Sequence, residues 1–117
     1  MNSKLALSSG VIANGCLYVS GQGPLDLTTG KLVPGTIEEE TRLTLRHIEK
    51  ILHAGGCTFD NVVKCTCHLA DIGDFPRFNA TYSEFFKGVR PARTTVQSVL
   101  MLGIKVEIDC IACIPQK

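Results

Sequence analysis

Apolar and polar residues recur along this chain with two different periods, and the switches between them mark out the elements. From Leu5 to Ile12 the pattern is short, mixed and strand-like. Asn14-Gly15 is the dipeptide favoured where a two-residue hairpin turn needs φ > 0 twice. Cys16-Leu17-Tyr18-Val19-Ser20 follows as a strand, so the chain is predicted to open with a hairpin. Gly21-Gln22-Gly23-Pro24 ends that strand. It lacks the Lys-Ser/Thr and the helix of a phosphate loop, and reads as a bend where backbone groups come close to something. Asp26 to Pro34 is loop, with a turn at Thr29-Gly30.

The period then lengthens. Thr36 and Glu39 have capping-box spacing, Glu38, Glu39 and Glu40 suit the positive end of a helix, and Thr41, Leu45, Ile48 and Leu52 form one stripe with Ile51 beside it. Gly55-Gly56 stops this helix. Asn61 to Leu69 is the next strand, broken by Asp71-Ile72-Gly73. A second helix is expected from a cap at Asp74, with Pro76 in the first turn and its end at Gly88. Phe75, Phe78, Tyr82 and Phe85 form an aromatic stripe, widened by Phe86, that is read as a seal over the sheet. Asn79 lies a step off that stripe, in a helix interior that mildly disfavours Asn, and is a candidate for a specific contact.

The last third holds two strands. One opens at Arg90-Pro91-Ala92-Arg93-Thr94-Thr95-Val96 and runs to about Leu100; the other spans Ile104 to Ile114. Alternation puts Arg93, Thr95 and Gln97 on one face of the first. In the second, Val106, Ile108, Cys110, Ala112 and Ile114 share a face, and Glu107, Asp109, Ile111 and Cys113 take the other. A hairpin turning near Met101 sets Arg93 across from Asp109 and Thr95 across from Glu107; a turn one residue later shifts each pairing by two but keeps the faces. The polar face is either a cross-strand ion pair on a wet surface or the floor of a site that holds an anion, since a guanidinium offers a planar fork matched to a carboxylate.

The element order gives an α+β fold, a mixed β-sheet with two helices packed on one face. The other face is left bare and apolar, and a ring of identical subunits would cover it. The 117 residues fit a single domain over 1–117 with one core. With 44% hydrophobic and 20% charged residues the chain is not a disordered one. A net charge of +1 with scattered Lys and Arg argues against a nucleic-acid partner. No apolar run is long enough to span a membrane, and the start shows no signal or transit pattern, so the cytoplasm is the expected location. Six cysteines could form disulfides in an exported chain, but most fall among strand-forming residues and are expected to pack as free thiols. Cys65-Thr66-Cys67-His68 invites a zinc reading, yet alternation turns His68 away from both thiols, and no metal is expected.

Taken together, Ser20-Gly21-Gln22, Asn79-Ala80-Thr81-Tyr82 with Phe85-Phe86, Pro91-Ala92-Arg93-Thr94 and Val106-Glu107-Ile108-Asp109-Cys110-Ile111-Ala112 resemble the RidA/YjgF family, the reactive intermediate deaminases, from about Gly10 onward. The resemblance implies a chorismate-mutase-like fold and a homotrimer with clefts between subunits. It also implies cofactor-free hydrolysis of enamine and imine intermediates, such as 2-aminoacrylate, to 2-keto acids and ammonia. In its terms Arg93 clamps the substrate carboxylate and Glu107 positions the attacking water. Gly21 and Thr95 meet the substrate through backbone groups, and Asn79 is the cleft asparagine. Thr95 stands where the family often has cysteine. Leu7 stands where a Gly-Pro-Tyr tyrosine usually reaches the cleft, which bears on substrate range. Imine hydrolysis asks for a held substrate, an aligned water and a proton acceptor, which these residues could supply. The competing readings are a non-catalytic trimer that binds small carboxylates or a protein, and the ribonuclease or translation-inhibitor activity attributed to some relatives.

Overall fold

The computed structural model of the chain describes residues 7–116. Its strands are β1 (Gly10–Ala13), β2 (Cys16–Gln22), β3 (Val62–Leu69), β4 (Ala92–Gln97) and β5 (Val106–Cys113), and its helices are α1 (Ile37–Ala54) and α2 (Phe75–Ser83). The β1–β2 hairpin turns on Asn14 and Gly15, both at positive φ (51° and 76°), as a two-residue turn between right-twisted strands requires. The expected start of β1 at Leu5 and Ala6 lies outside the described residues; the described strand begins at Gly10.

The strands form one mixed sheet in the order β1-β2-β5-β3-β4. All pairings are antiparallel except β3 with β4, which run parallel. The hairpin expected between β4 and β5 is therefore absent. β5 instead lies between β2 and β3, and β4 sits at the edge. A 3₁₀ turn at Met101–Gly103, with Leu102 at φ +62°, carries the chain over β3 rather than folding it back on itself. Central placement suits β5 better, because its apolar residues are covered only with a neighbour on each side. Val106, Ile108 and Ala112 are fully buried.

Thr36 caps α1 as its spacing predicts: its hydroxyl accepts from the Glu39 N–H, and the Glu39 carboxylate accepts from the Thr36 N–H. Thr41, Leu45, Ile48 and Leu52 are the buried stripe. They pack on Leu17, Val19, Cys65, Cys67 and Leu69 of the sheet. The second helix differs from expectation at both ends. Asp74 makes no side-chain cap bond; Asp71 does that work one turn earlier, accepting from the Gly73 N–H. The helix stops at Ser83, not at Gly88. Phe78, Tyr82 and Phe86 are buried as the aromatic seal. No helix among the described residues is long and apolar enough to cross a membrane.

Two carboxylates on α1 tie it to its surroundings. Glu40, wholly buried on α1, accepts from the N–H of Gly35 (3.0 Å), the N–H of Lys105 (2.7 Å) and Lys105 Nζ (3.3 Å), and so fixes the chain just ahead of β5. Removing it strands two backbone donors and a lysine. Glu40→Ala should cost about 3 kcal/mol in urea unfolding, the low end for a broken buried pair because Lys105 is half exposed.

Glu38 joins the two helices at the surface. It takes two hydrogen bonds from Arg77 (2.8 and 2.7 Å), and these hold its carboxyl well below the usual range, at about 2. A carboxylate whose pKa falls on folding adds stability above the unfolded value, and that stability is lost as pH drops through the folded one. Glu38→Gln should therefore melt below wild type at neutral pH. Thermal melts should show the gap closing as pH falls from about 4.5 to about 2.

Candidate functional site

Parallel pairing sets Arg93 level with Cys65 and Thr95 level with Cys67 on β3. Both thiols are buried under the helices, so Arg93 and Thr95 project on the covered side of the sheet. Because β4 is an edge strand, α2 reaches over it. Phe75, Asn79 and Tyr82, at i, i+4 and i+7, share one face of that helix. The Arg93 Cζ lies 4.8 Å from the Tyr82 ring centroid and 5.4 Å from that of Phe75. Asn79 Oδ1 accepts from Arg93 Nη1 at 2.8 Å. Two cation–π contacts of about 0.5–2 kcal/mol each and one charge-assisted bond thus hold the fork. Burial raises the pKa of the Tyr82 phenol, so the ring stays neutral, and the cation has no counterion among the described residues.

Arg93 separates two hollows. One, of about 700 Å³, is lined by Ile72, Gly73, Phe75, Pro76, Arg93 and Thr95. The 3₁₀ turn Ile72–Asp74 frames it, tied to the end of β4 by the Ile72 N–H donating to Gln97 Oε1 at 2.8 Å. The Thr95 hydroxyl oxygen here is buried and has no protein partner among the described residues. The other hollow, of about 330 Å³, is lined by Asn79, Tyr82, Ser83, Arg90, Pro91 and Arg93.

Glu107 is elsewhere. It alternates with fully buried Val106 and Ile108 and so faces the bare side of the sheet, level with His68. Its carboxylate rests over Gly21, where an added Cβ would lie only 2.5 Å from Oε2. A register shift between Val19 and Gln22 accompanies this close approach. On the other flank, His68 Nδ1 bonds Ser98 Oγ at 2.8 Å. The expected pairings of Arg93 with Asp109 and of Thr95 with Glu107 do not occur. Asp109 is level with Thr66, and Thr95, through Cys67, with Ile108. The structure brings Arg93, Thr95 and Asn79 together on one side of the sheet and Gly21 and Glu107 together on the other.

No thiol competes for a catalytic role beside Arg93. Burial pushes Cys65 up and Cys67 up to about 12, so both stay protonated. Among the described residues no cluster of three or more His, Cys, Asp or Glu could hold a metal ion. Two features escaped sequence reasoning. Phe75 and Tyr82 were legible as core, and their spacing with Asn79 was the available signal that they also face a common partner. The space Gly21 leaves for Glu107 had no signal beyond a glycine at the end of a strand.

A family model described as endoribonuclease L-PSP matches residues 1–114. A rat protein named 2-iminobutanoate/2-iminopropanoate deaminase is 44% identical over 108 residues, covering 92% of this chain and 79% of the relative. The crystal structure of a putative endoribonuclease from Thermotoga maritima superimposes with a TM-score of 0.91 at 38% identity, covering 97% of this chain and 91% of that one. A Yersinia pestis protein of the conserved Rid family, of unknown function, gives 0.89 at 40% identity over 92% and 87%. The mixed five-stranded sheet, the helices on one side and these likenesses agree with the motifs read along the chain: it belongs to the Rid proteins, the RidA/YjgF family.

Proposed function

We propose that this protein hydrolyses reactive 2-imino acids, and the enamines in equilibrium with them, to 2-keto acids and ammonia, as a cytoplasmic homotrimer. The observation that carries the reading is Arg93: a guanidinium held between two rings and an amide, facing open hollows, with no carboxylate partner among the described residues. Such a group awaits an acid. The rat relative bears a deaminase's name for substrates of this class.

Arg93 and Glu107 lie on opposite faces of one sheet, so a single copy cannot put both on one substrate. A neighbouring copy seated on the bare face would bring its Arg93, Thr95 and Asn79 to the first copy's Gly21 and Glu107. The face suits burial, since Val11, Tyr18 and Val96 are exposed on it beside polar residues. Each cleft then has a cationic wall and an acidic wall from different chains.

The chemistry follows from those walls. Arg93 takes the substrate carboxylate as a bidentate pair and, by drawing negative charge, makes C2 more electrophilic. Asn79 keeps the fork in orientation, and Thr95 lines the same wall. Glu107 aligns a water against C2 and accepts its proton as the C–O bond forms. The carbinolamine then collapses: Glu107 returns the proton to the nitrogen, the C–N bond breaks, ammonia leaves, and the hydroxyl gives its proton back to Glu107 as the C=O forms. Nothing is oxidised or reduced.

The test generates the imine with an amino-acid oxidase and follows its disappearance. Arg93→Ala should lower kcat/KM by roughly 10–100-fold, the worth of a charge-assisted pair; equal clearance by variant and wild type would overturn the reading. Gly21→Ala should act differently. Its new methyl first meets the Glu107 side chain, nearest at Oε2, and a flexible side chain can yield, so the fold survives while the carboxylate swings aside. We expect kcat to fall by about 100-fold, as for a misplaced catalytic group, with KM nearly unchanged because Arg93 still binds the carboxylate.

A further inference from the structure

The smaller hollow beside Arg93 holds a second cation. Arg90, Arg93, Asn79, Tyr82, Ser83 and Pro91 line it, and none of these carries a carboxylate. Arg90 donates from Nε to the Phe86 carbonyl at 3.1 Å. That bond orients its fork and leaves Nη1 and Nη2 without a protein partner among the described residues. Other arginines are treated differently. Arg42 pairs with Glu84 and Arg77 with Glu38, each through two hydrogen bonds, and Arg46 lies over the Phe85 ring.

Arg93 is half-buried and Arg90 is exposed at the mouth of the same hollow, and two cations lining one hollow, with no carboxylate among its lining residues, favour an anion there. One carboxylate bound to Arg93 answers one of the two charges and leaves Arg90 facing the rest of the ligand. Pro91 restricts the backbone between them, and Asn79 joins the same wall.

We propose that Arg90 forms a second anion subsite, and that the protein favours 2-imino acids carrying a second carboxylate, the imines derived from aspartate and glutamate. This rests on the deaminase reading. The reaction at C2 is unchanged: water adds, the C–N bond breaks and ammonia leaves, with the distal carboxylate a spectator held by Arg90. Arg90 touches that distal group and sets specificity; it takes no part in bond making.

The experiment compares iminosuccinate, made from aspartate with aspartate oxidase, with 2-iminopropanoate, made from alanine with an amino-acid oxidase. Wild type, Arg90→Met, Arg90→Lys and Arg93→Ala are assayed on both. We expect Arg90→Met to lower the ratio of kcat/KM values, dicarboxylic over monocarboxylic, by about tenfold, the effect of one charge-assisted contact. Its rate on 2-iminopropanoate should stay within about twofold of wild type. Arg90→Lys should restore part of the ratio, and Arg93→Ala should depress both substrates. An unchanged ratio in Arg90→Met, or an equal loss on both substrates, overturns the proposal while leaving the deaminase reading intact. If wild type turns over neither imine, the deaminase reading fails and calorimetry decides the subsite. Tighter binding of 2-oxoglutarate than of 2-oxobutanoate, lost in Arg90→Met, supports it; equal binding of the two overturns it.

Discussion

The parallel pairing of β4 with β3 governs where chemistry can occur in this protein. It places Arg93 level with Cys65, on the side of the sheet that the helices cover. An antiparallel hairpin with β5 would instead have set it across from Asp109. Because β4 is an edge strand, α2 supplies the wall that a further strand would otherwise provide, and its Phe75, Asn79 and Tyr82 grip the guanidinium. The same pairing leaves β5 in the middle of the sheet, with Glu107 on the uncovered face. The two charged groups are thus separated by a layer of backbone and buried thiols.

That separation turns the bare face from a liability into part of the mechanism we propose. Apolar residues on a sheet face left open to water favour association, and closed symmetry repeats the same contact at every interface. A second copy would remove the apolar surface and complete a cleft in one step. Binding and assembly then depend on the same surfaces. Glu40 contributes from a distance, because its bonds to Lys105 fix the chain two residues before Glu107.

Local rules made much of this legible in the sequence. The Thr36–Glu39 capping box, the Asn14-Gly15 turn, the stripe from Thr41 to Leu52 and the two faces of β5 each follow from neighbours within a few residues. The partner of β4 does not. Period-2 alternation says which residues share a face of a strand; it says nothing about which strand lies alongside. The short connection at Met101–Gly103 looks like a hairpin turn, yet Leu102 at positive φ carries the chain over its neighbour. For the same reason Arg93 and Glu107 could each be singled out from residue type and family resemblance, while their placement on opposite faces could not. The aromatic stripe continues through Phe85 and Phe86 and so suggests a helix to Gly88, but α2 ends at Ser83 and these two rings reach the core from the turn beyond it.

The account stands on two chains sharing one cleft, and mixing two impaired variants tests it most directly. Arg93→Ala and Glu107→Ala homo-oligomers should each keep no more than about a tenth of wild-type activity. Denatured together and refolded as random mixtures, they should regain about a quarter of wild-type activity, since one cleft in four then draws its arginine and its glutamate from the intact copies. Mixtures no more active than the separate variants, or a wild-type monomer with full turnover, would contradict it.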